Sequence, residues 1–111
     1  MTDCIFCKIA NGDIPSKKLY EDSDLVAFHD INPAAPVHFL LVPKEHIASL
    51  ESAHAKHEML LGRMLLLAPL LAKEQGLADG FKTVINTGKG GGQVVMHLHV
   101  HVLGGGKLAH V

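Results

Sequence analysis

The sequence of 111 residues predicts an α+β fold with a five-stranded, mostly antiparallel sheet, one long helix and one short helix. Two observations support this fold class. Segments with strand character occur near both ends of the chain, and a single long stretch with helical spacing lies between them. The length fits one domain, and we therefore expect residues 1–111 to form a single domain.

The expected elements follow from local patterns. The segment IFCKIAN at 5–11 predicts the short helix, which Gly12 and Pro15 bring to an end. The segments KKLYED and LVAFHD predict two strands that form a hairpin. The third, fourth and fifth strands are predicted over VHFLLVPK, FKTVIN and VMHLHVHVL.

The long helix is predicted from about Ser52 to Gln75, where apolar residues recur at spacings of three and four. Pro69 lies inside this stretch and is expected to kink the helix or interrupt its regular hydrogen bonding. Leucines occupy more than one stripe of the helix, which favours burial on two sides, one of them against a second subunit.

Composition excludes several classes of protein. Ten basic and eleven acidic residues give a net charge of −1, so no general attraction to nucleic acid or to a membrane surface is expected. The first ten residues, MTDCIFCKIA, do not resemble a signal peptide, and no apolar run reaches the ~18 residues of a membrane span. Two cysteines in a chain without an export signal do not form a disulfide framework, which favours a cytoplasmic protein.

Histidine occupies every second position in the predicted last strand, at His97, His99 and His101. On a strand these three side chains would share one face. Two of them could share a zinc ion, but the first and third are about 13 Å apart along the backbone. The row therefore favours separate contacts with an extended polar object such as a phosphate chain. A polar-faced strand and a two-histidine metal site are the alternatives.

A glycine-rich segment, NTGKGGGQ, precedes the histidines. Without Cβ atoms, Gly90, Gly91 and Gly92 allow backbone N–H groups to turn inward and bind phosphate, although a simple turn would have the same composition.

The segment FHDIN suggests a nucleoside site. Asp30 could accept hydrogen bonds from two ribose hydroxyls, and Phe28 and Ile31 offer apolar surface for a base, whereas the alternative is a strand end with a turn-forming aspartate. His38 would lie beside the histidine row if the third and fifth strands are neighbours. His54 and His57, near the start of the long helix, are expected to be solvated, and His110 lies in the tail.

The segment MHLHVHVLGG resembles the motif H-x-H-x-H-x-x, with x apolar, of the histidine triad superfamily. The similarity extends along nearly the whole chain, through CIFCKIANGDIPSKKLYED, LVAFHDINPAAPVHFLLVPKEHI and VINTGKGGGQ. FHDI, GGQ and HVLGG are most similar to the Hint branch, the purine nucleoside phosphoramidases. They are less similar to the fragile-histidine dinucleotide hydrolases or the galactose-phosphate transferases.

This resemblance implies a dimeric, HIT-like fold and a hydrolase that cleaves the P–N bond of purine nucleoside 5′-phosphoramidates, such as adenosine 5′-monophosphoramidate. His99 would be the nucleophile and would form a covalent nucleotidyl-histidine, which water cleaves to the monophosphate. His101 would contact the phosphate and help to protonate the departing amine. Either the strand backbone or His38 would hold the other ring nitrogen of His99.

The resemblance also implies two binding pockets. The phosphate pocket would be lined by Asn86, Gly92, Gln93 and Val94, and the nucleoside pocket by Ile5, Phe6, Phe28, His29, Asp30 and Ile31. Some relatives carry a hydroxyl at the position of Val94, where this chain could use only its backbone N–H. The tail after LGGGKLAHV is short, so the preference for a particular amine does not carry over.

Cys4 and Cys7 form half of a tetrahedral zinc site by their spacing. In some bacterial members of the superfamily this site is completed by two histidines, which correspond here to His46 and His97. The resemblance therefore implies a structural zinc ion and no organic cofactor. A pair of reduced, buried cysteines and a redox pair are the alternatives.

Two other functions compete with phosphoramidate hydrolysis. One is a dinucleoside polyphosphate hydrolase or nucleotidyl transferase of the same superfamily, and the other is a purine-nucleotide-binding regulatory protein. The expected partners are a purine nucleotide and a second copy of the chain.

Overall fold

The computed structural model describes residues 3–108 and confirms the α+β class. The helices are α1 (Ile5–Ala10) and α2 (Glu58–Glu74), and the strands are β1 (Lys18–Glu21), β2 (Leu25–His29), β3 (Val37–Pro43), β4 (Lys82–Val84) and β5 (Val100–Gly104). Single 3₁₀ turns cover Leu50–Ser52, Ala55–His57 and Lys89–Gly91.

The five strands form one sheet in the order β1-β2-β3-β5-β4, and each neighbouring pair is antiparallel. The strands β3 and β5 are adjacent although they are far apart in sequence, and Leu40 pairs with His101. This long-range pairing brings His38 to the histidines near the C-terminus.

The two faces of the sheet have different coverings. Leu25 and Ala27 of β2 point toward α2, where they pack with Met64 and Ala68. Alternate side chains point to the opposite face. There Val26, Phe28, Leu40 and Val42 pack against Phe6, Ile9 and Ala10 of α1. The short helix therefore covers the face of the sheet that carries the histidines.

The long helix starts later than the spacing predicted. Two 3₁₀ turns precede it, and α2 begins at Glu58 rather than near Ser52. In the first turn the hydroxyl of Ser49 accepts a hydrogen bond from the backbone N–H of Glu51 and acts as a cap. Pro69 does not end α2, which continues to Glu74. Among residues 3–108, no helix has the length and hydrophobicity needed to cross a bilayer.

The last strand is shorter than predicted and does not contain the whole histidine row. The pairs formed with β3 and β4 begin at Val100, so His97 and His99 precede the strand. The segment is held by other bonds, including one from the backbone N–H of Leu98 to the carbonyl oxygen of Ile47 at 2.6 Å. The prediction that all three histidines lie within one strand was therefore wrong, although their rings are still neighbours: Phe6 contacts His97 and His99, and His101 lies 4.9 Å from His99 between ring centroids.

Candidate active site and metal centre

His99 has a fixed orientation and a fixed proton. Its Nδ1 atom lies 2.7 Å from the carbonyl oxygen of His97, which can only accept a hydrogen bond. The proton of the neutral ring is therefore on Nδ1, and the Nε2 atom carries the lone pair. The sequence analysis gave two possible partners for Nδ1 of His99, the strand backbone and His38. In the structure the partner is the backbone, and His38 contacts His101 instead.

One aromatic side chain lies against this ring, and a second packs against the first. Phe6 of α1 packs edge-on against His99 with a centroid distance of 5.0 Å, and against Phe28 of β2 at 5.6 Å. These three members of the predicted substrate site are thus brought together. Of the other residues predicted for the nucleoside pocket, Ile31 in the β2–β3 loop is 89% exposed and Ile5 at the start of α1 is 44% exposed. His29 is half-buried at the end of β2.

The backbone also fixes the proton of His38. The N–H of Ala34 donates to Nδ1 of His38 at 3.0 Å, so the proton of the neutral His38 ring is on Nε2. That nitrogen lies 3.0 Å from Nδ1 of His101 and 3.4 Å from Oδ2 of Asp30. Since Nδ1 of His101 accepts from His38, the proton of neutral His101 is on its Nε2 atom.

Burial keeps both of these histidines neutral at pH 7. It lowers the pKa of His101 to about 4, and the neighbouring rings of His99 and His38 act in the same direction. Burial likewise lowers the pKa of His38. The carboxylate of Asp30 opposes both shifts, because its negative charge stabilises a protonated ring.

A second group of donors surrounds His97, whose side chain is fully buried. Its Nε2–H donates to the carbonyl oxygen of Pro43 at 2.8 Å, which leaves the lone pair on Nδ1. Nδ1 lies 3.3 Å from Sγ of Cys4, 3.4 Å from Sγ of Cys7 and 3.1 Å from Nδ1 of His46. The structure thus brings together all four residues of the predicted metal site.

The donor set fits a zinc ion. Tetrahedral zinc with thiolate and imidazole ligands places neighbouring donor atoms about 3.3–3.8 Å apart. The four donor atoms all lie within 4.8 Å of one another, and Sγ of Cys7 is 3.2 Å from Nδ1 of His46. A ligating histidine whose second nitrogen donates to a backbone carbonyl, as in His97, is the usual arrangement at such sites.

A second group of three donor atoms lies within 4.8 Å of one another, on Asp30, His38 and His101. The positions of the ring protons in this group argue against a bound metal ion. The Nε2 atom of His38 carries a hydrogen because Nδ1 accepts from Ala34. A metal would need the lone pair at Nε2, and therefore the loss of that backbone bond. The group of Asp30, His38 and His101 is thus linked by hydrogen bonds. At the other site, by contrast, the lone pair of His97 is on the nitrogen that faces the two cysteines.

The glycine loop is held together by one glutamine. Gln93 is buried, its Oε1 accepts from the N–H of Gly88 at 2.8 Å, and its Nε2 donates to the carbonyl oxygens of Ala48 at 2.7 Å and Val95 at 2.9 Å. The resemblance assigned the side-chain amide of Gln93 to the phosphate pocket, but in the structure this amide is hydrogen-bonded to three backbone groups. Asn86 likewise donates to the carbonyl oxygen of Gly91 at 2.8 Å.

Two glycines in this loop have backbone angles that other residues rarely adopt. Gly88 has φ +68° and Gly92 has φ +80°. The side chain of Val94, which follows the loop, is largely exposed. The loop is therefore a turn whose conformation requires glycine at two positions, and the side chain of Val94 lies at the surface.

One histidine expectation was wrong. His57 is only 4% exposed, because the 3₁₀ turn over Ala55–His57 directs its ring inward. Its Nδ1 accepts from the backbone N–H of His54, and its Nε2 donates to Glu45 at 2.9 Å. His54 is exposed as expected, and His110 lies outside the described residues.

Sequence reasoning named the backbone as one possible partner for His99, but it missed the backbone groups that fix the protons of His38 and His97, namely the N–H of Ala34 and the carbonyl oxygen of Pro43. Backbone donors and acceptors carry no side-chain signature, and the contact of His97 with Pro43 also depends on chain segments that meet only in the fold.

The fold and the site together define a class of α+β proteins: an antiparallel sheet carries, on the face covered by the short helix, a histidine whose tautomer the backbone fixes and whose ring packs against Phe6. Within this class the chain belongs to the HIT-domain family, because a sequence model of the HIT domain matches residues 11–108. It is 60% identical over 104 residues to Protein HitA of Neisseria gonorrhoeae, covering 94% of this chain and 97% of that protein.

Solved structures agree with this assignment. A HIT family hydrolase from Legionella pneumophila superposes with a TM-score of 0.93 at 44% identity, covering 96% of each chain. A Zn-bound histidine triad family protein from Mycobacterium smegmatis gives 0.80 at 34% identity, covering 91% of this chain and 73% of the other. A histidine triad nucleotide-binding protein from Candida albicans gives 0.80 at 34% identity, covering 98% and 85%.

Proposed function

We propose that the protein hydrolyses the P–N bond of purine nucleoside 5′-phosphoramidates through a covalent nucleotidyl-histidine at His99. The observation that carries this proposal is the hydrogen bond from Nδ1 of His99 to the carbonyl oxygen of His97 at 2.7 Å. It leaves Nε2 with a lone pair, which is what a histidine nucleophile needs. Membership in a family that includes a HIT family hydrolase and a nucleotide-binding protein supports it.

The reaction has two displacements at phosphorus. In the first, Nε2 of His99 forms a bond to the α-phosphorus, the P–N bond breaks, and its electron pair goes to the amine nitrogen, which takes one proton. The attacking ring of His99 becomes positively charged when Nε2 bonds to phosphorus, and the carbonyl oxygen of His97 stabilises it through the Nδ1–H. In the second, water attacks phosphorus and the bond to Nε2 breaks. Water releases one proton, so the two steps balance.

We assign the proton donor to His101. An amine cannot leave as its anion, because its conjugate acid is far too weak. In the resting protein His101 is neutral, because burial lowers its pKa to about 4; the negative charge of a bound phosphate would stabilise the protonated ring that donates to the amine. Asp30 and His38 position this ring from the side away from its Nε2 atom, through the contact of 3.0 Å between His38 and His101. His38 is therefore a positioning residue in this scheme.

Substrate contacts follow from the same arrangement. Phe6 and Phe28, which pack edge to face and are nearly buried, would form the apolar floor of a purine pocket, with Ile5, His29 and Ile31 as its expected edges. The remaining carboxylate capacity of Asp30 would accept ribose hydroxyls. Asn86, Gly92 and Val94 would line the phosphate, with Gln93 acting by holding the loop.

We further propose a zinc ion held by Cys4, Cys7, His46 and His97, on the strength of the converging donor atoms. Bound there, zinc would cross-link α1 to the segments that follow β3 and precede β5. A Zn-bound structure in the family supports this assignment.

We also propose that the protein is a homodimer. Met59, Leu66 and Leu70 are spaced seven and four residues apart on α2, and their side chains are 87%, 74% and 63% exposed. This spacing places them on one stripe, opposite the buried Met64 and Ala68. An apolar stripe of this kind on a sheet-covering helix suits a second copy of the chain.

The decisive experiment traps the adduct. The protein is incubated with labelled adenosine 5′-monophosphoramidate, quenched without acid, and mapped by mass spectrometry. We expect a nucleotidyl group on His99, and no adduct or turnover in His99→Ala. The exposed His54→Ala serves as the matched control and should behave as the wild type. Turnover by His99→Ala would disprove the proposed nucleophile.

The same preparation separates the competing functions. Faster hydrolysis of diadenosine polyphosphate than of the phosphoramidate would assign the protein to dinucleoside polyphosphate hydrolysis or nucleotidyl transfer. Purine monophosphate binding with negligible turnover and no adduct would assign it to nucleotide-dependent regulation. Either outcome would contradict the proposed activity.

A further inference from the structure

The carbonyl group that holds His99 belongs to a segment outside the sheet. The pairing of β5 with β3 and β4 begins at Val100, so no ladder hydrogen bond positions the carbonyl oxygen of His97. Yet that oxygen accepts the hydrogen bond that fixes the proton of His99. The position of His97 therefore depends on its other contacts.

Three contacts hold this segment. The N–H of Leu98 donates to Ile47 at 2.6 Å, and Nε2–H of His97 donates to Pro43 at 2.8 Å. The third contact is the donor cluster, where Nδ1 of His97 lies 3.1–3.4 Å from one nitrogen and two sulfur atoms. The first two are single hydrogen bonds to the end of β3 and to the segment that follows it. Of these three polar contacts only the cluster reaches α1, where Phe6 also packs edge-on against the ring of His97 at a centroid distance of 6.0 Å.

The cluster needs a cation to act as a firm anchor. The Nδ1 atom of His97 presents a lone pair, because its Nε2 carries the proton. The neighbouring donors can satisfy a buried lone pair only through weak or shared hydrogens, whereas a metal ion would bind all of the donors at once. Metal binding and the placement of His97 are thus physically linked.

We propose that this metal site positions the nucleophile: by holding the ring of His97, it fixes the His97 carbonyl oxygen, which keeps His99 in the form with the proton on Nδ1. His97 is in this view a positioning residue that serves two sites, with its ring in one and its carbonyl group in the other. The catalytic importance of the His99 tautomer rests on the proposed function. The dependence of that tautomer on the metal site does not, because it is a property of the protein without substrate.

The structure supplies an internal control. The proton of His38 is fixed by the backbone N–H of Ala34, which does not involve the cluster. Removal of the metal should therefore release the tautomer of His99 and leave that of His38 unchanged. A general loosening of the fold would affect both.

The test uses the whole chain, purified without added zinc, assayed for bound metal, and then stripped with a chelator at neutral pH. Nitrogen-15 spectra of the imidazole rings report the tautomers. We expect a single Nδ1–H form of His99 in the loaded protein and mixed forms after stripping, while His38 keeps its Nε2–H form. Amide exchange at Leu98 should become at least about tenfold faster, with no change at Val102 in the ladder.

A variant covers the case in which stripping also exposes Val102 to exchange. His46 is the exposed member of the cluster, so His46→Ala weakens the site without a change in the core, and His54→Ala is its matched control. His46→Ala should reproduce the change at His99, and His54→Ala should not. The proposal is overturned if the chain binds no zinc, or if zinc is lost and both the His99 tautomer and the Leu98 protection persist.

These readouts are independent of turnover. Failure to trap an adduct on His99 would remove the proposed function and leave the coupling intact. An unchanged His99 tautomer in the stripped protein would remove the coupling and leave the proposed function intact.

Discussion

The Nε2 atom of His38 and the Nδ1 atom of His101 lie 3.0 Å apart, and the backbone N–H of Ala34 decides which ring supplies the proton between them. Because this arrangement uses two neutral rings, protonation of either one disrupts it. Burial, the larger effect, lowers the pKa of His101 to about 4 and also lowers that of His38.

The depressed pKa of His101 predicts loss of stability in weak acid. The unfolded chain binds a proton near the ordinary histidine pKa of 6.5, and the folded ring does so only near pH 4. Between these values the unfolded state holds more protons, so the free energy of unfolding decreases as the pH falls through that window, by at most about 3 kcal/mol. His101→Gln should show a correspondingly smaller decrease between pH 7.5 and 4.5 in urea unfolding.

The control for this experiment is His54→Gln, which changes an exposed histidine and should keep the wild-type decrease. Equal pH dependence in the wild type and His101→Gln would contradict the assignment of the depressed pKa to His101.

A second prediction concerns the turn that joins β1 to β2. Asp22 accepts hydrogen bonds from the backbone N–H groups of Asp24 and Leu25 and from the hydroxyl of Tyr20, and it also pairs with Arg63 of α2. Partial burial opposes ionisation, but these partners outweigh it and hold the pKa of Asp22 at about 2.

Asp22→Asn should therefore lower the free energy of unfolding by about 2 kcal/mol at pH 7. The stabilisation is present above the ordinary aspartate pKa of 3.8 and is lost as the pH falls toward 2, so the difference between variant and wild type should shrink at pH 2.5. Urea unfolding at both pH values measures it. Asp79→Asn, at an exposed position, is the control, and a difference that stays constant with pH would refute the explanation.

A third prediction concerns Gln93. Its amide meets one backbone donor and two backbone acceptors, a set that only an amide satisfies completely. Gln93→Glu would place a carboxylate against the carbonyl oxygens of Ala48 and Val95, with an expected loss of about 2–4 kcal/mol of stability.

The same substitution should weaken the binding of AMP, measured by calorimetry, more than tenfold, because the glycine loop would lose the hydrogen bonds through which Gln93 links it to Ala48 and Val95. Gln93→Met keeps the length of the side chain without adding charge, and it should fall between Gln93→Glu and the wild type in both measurements. Wild-type stability in Gln93→Glu would show that the amide contacts do not hold the loop.

These particular residues show what a sequence can and cannot reveal about this fold. The apolar run at Leu25–Phe28 is local and was correctly predicted to be a strand. The spacing of Cys4 and Cys7 is also local, and the structure brings both thiols together with His46 and His97, while the zinc ion itself stays a proposal. The start of β5 depends on where β3 and β4 end, so the row of histidines was wrongly extended into one strand.

The burial of Gln93 and of His57 likewise could not be predicted from the sequence. Gln93 sits in a glycine loop, where polar residues are usually solvated, and its burial depends on carbonyl groups at Ala48 and Val95. His57 is turned inward by a single 3₁₀ turn that leaves no periodic pattern. In both cases the decisive partner is a group that the local sequence does not mark.

The last prediction concerns the exposed stripe of α2. Leu66 and Leu70 lie one turn apart on the side of the helix opposite Met64 and Ala68, so a charge there does not enter the core of the protomer. If two copies pack through this stripe, burying a glutamate from each would cost several kcal/mol. The double variant Leu66→Glu, Leu70→Glu should therefore be monomeric by light scattering at concentrations where the wild type is dimeric, with its unfolding still cooperative. Ala78→Glu adds a charge at an exposed site beyond the helix and should remain dimeric. A wild-type protein that is monomeric at tens of micromolar, or a double variant that stays dimeric, would rule out this stripe as the interface.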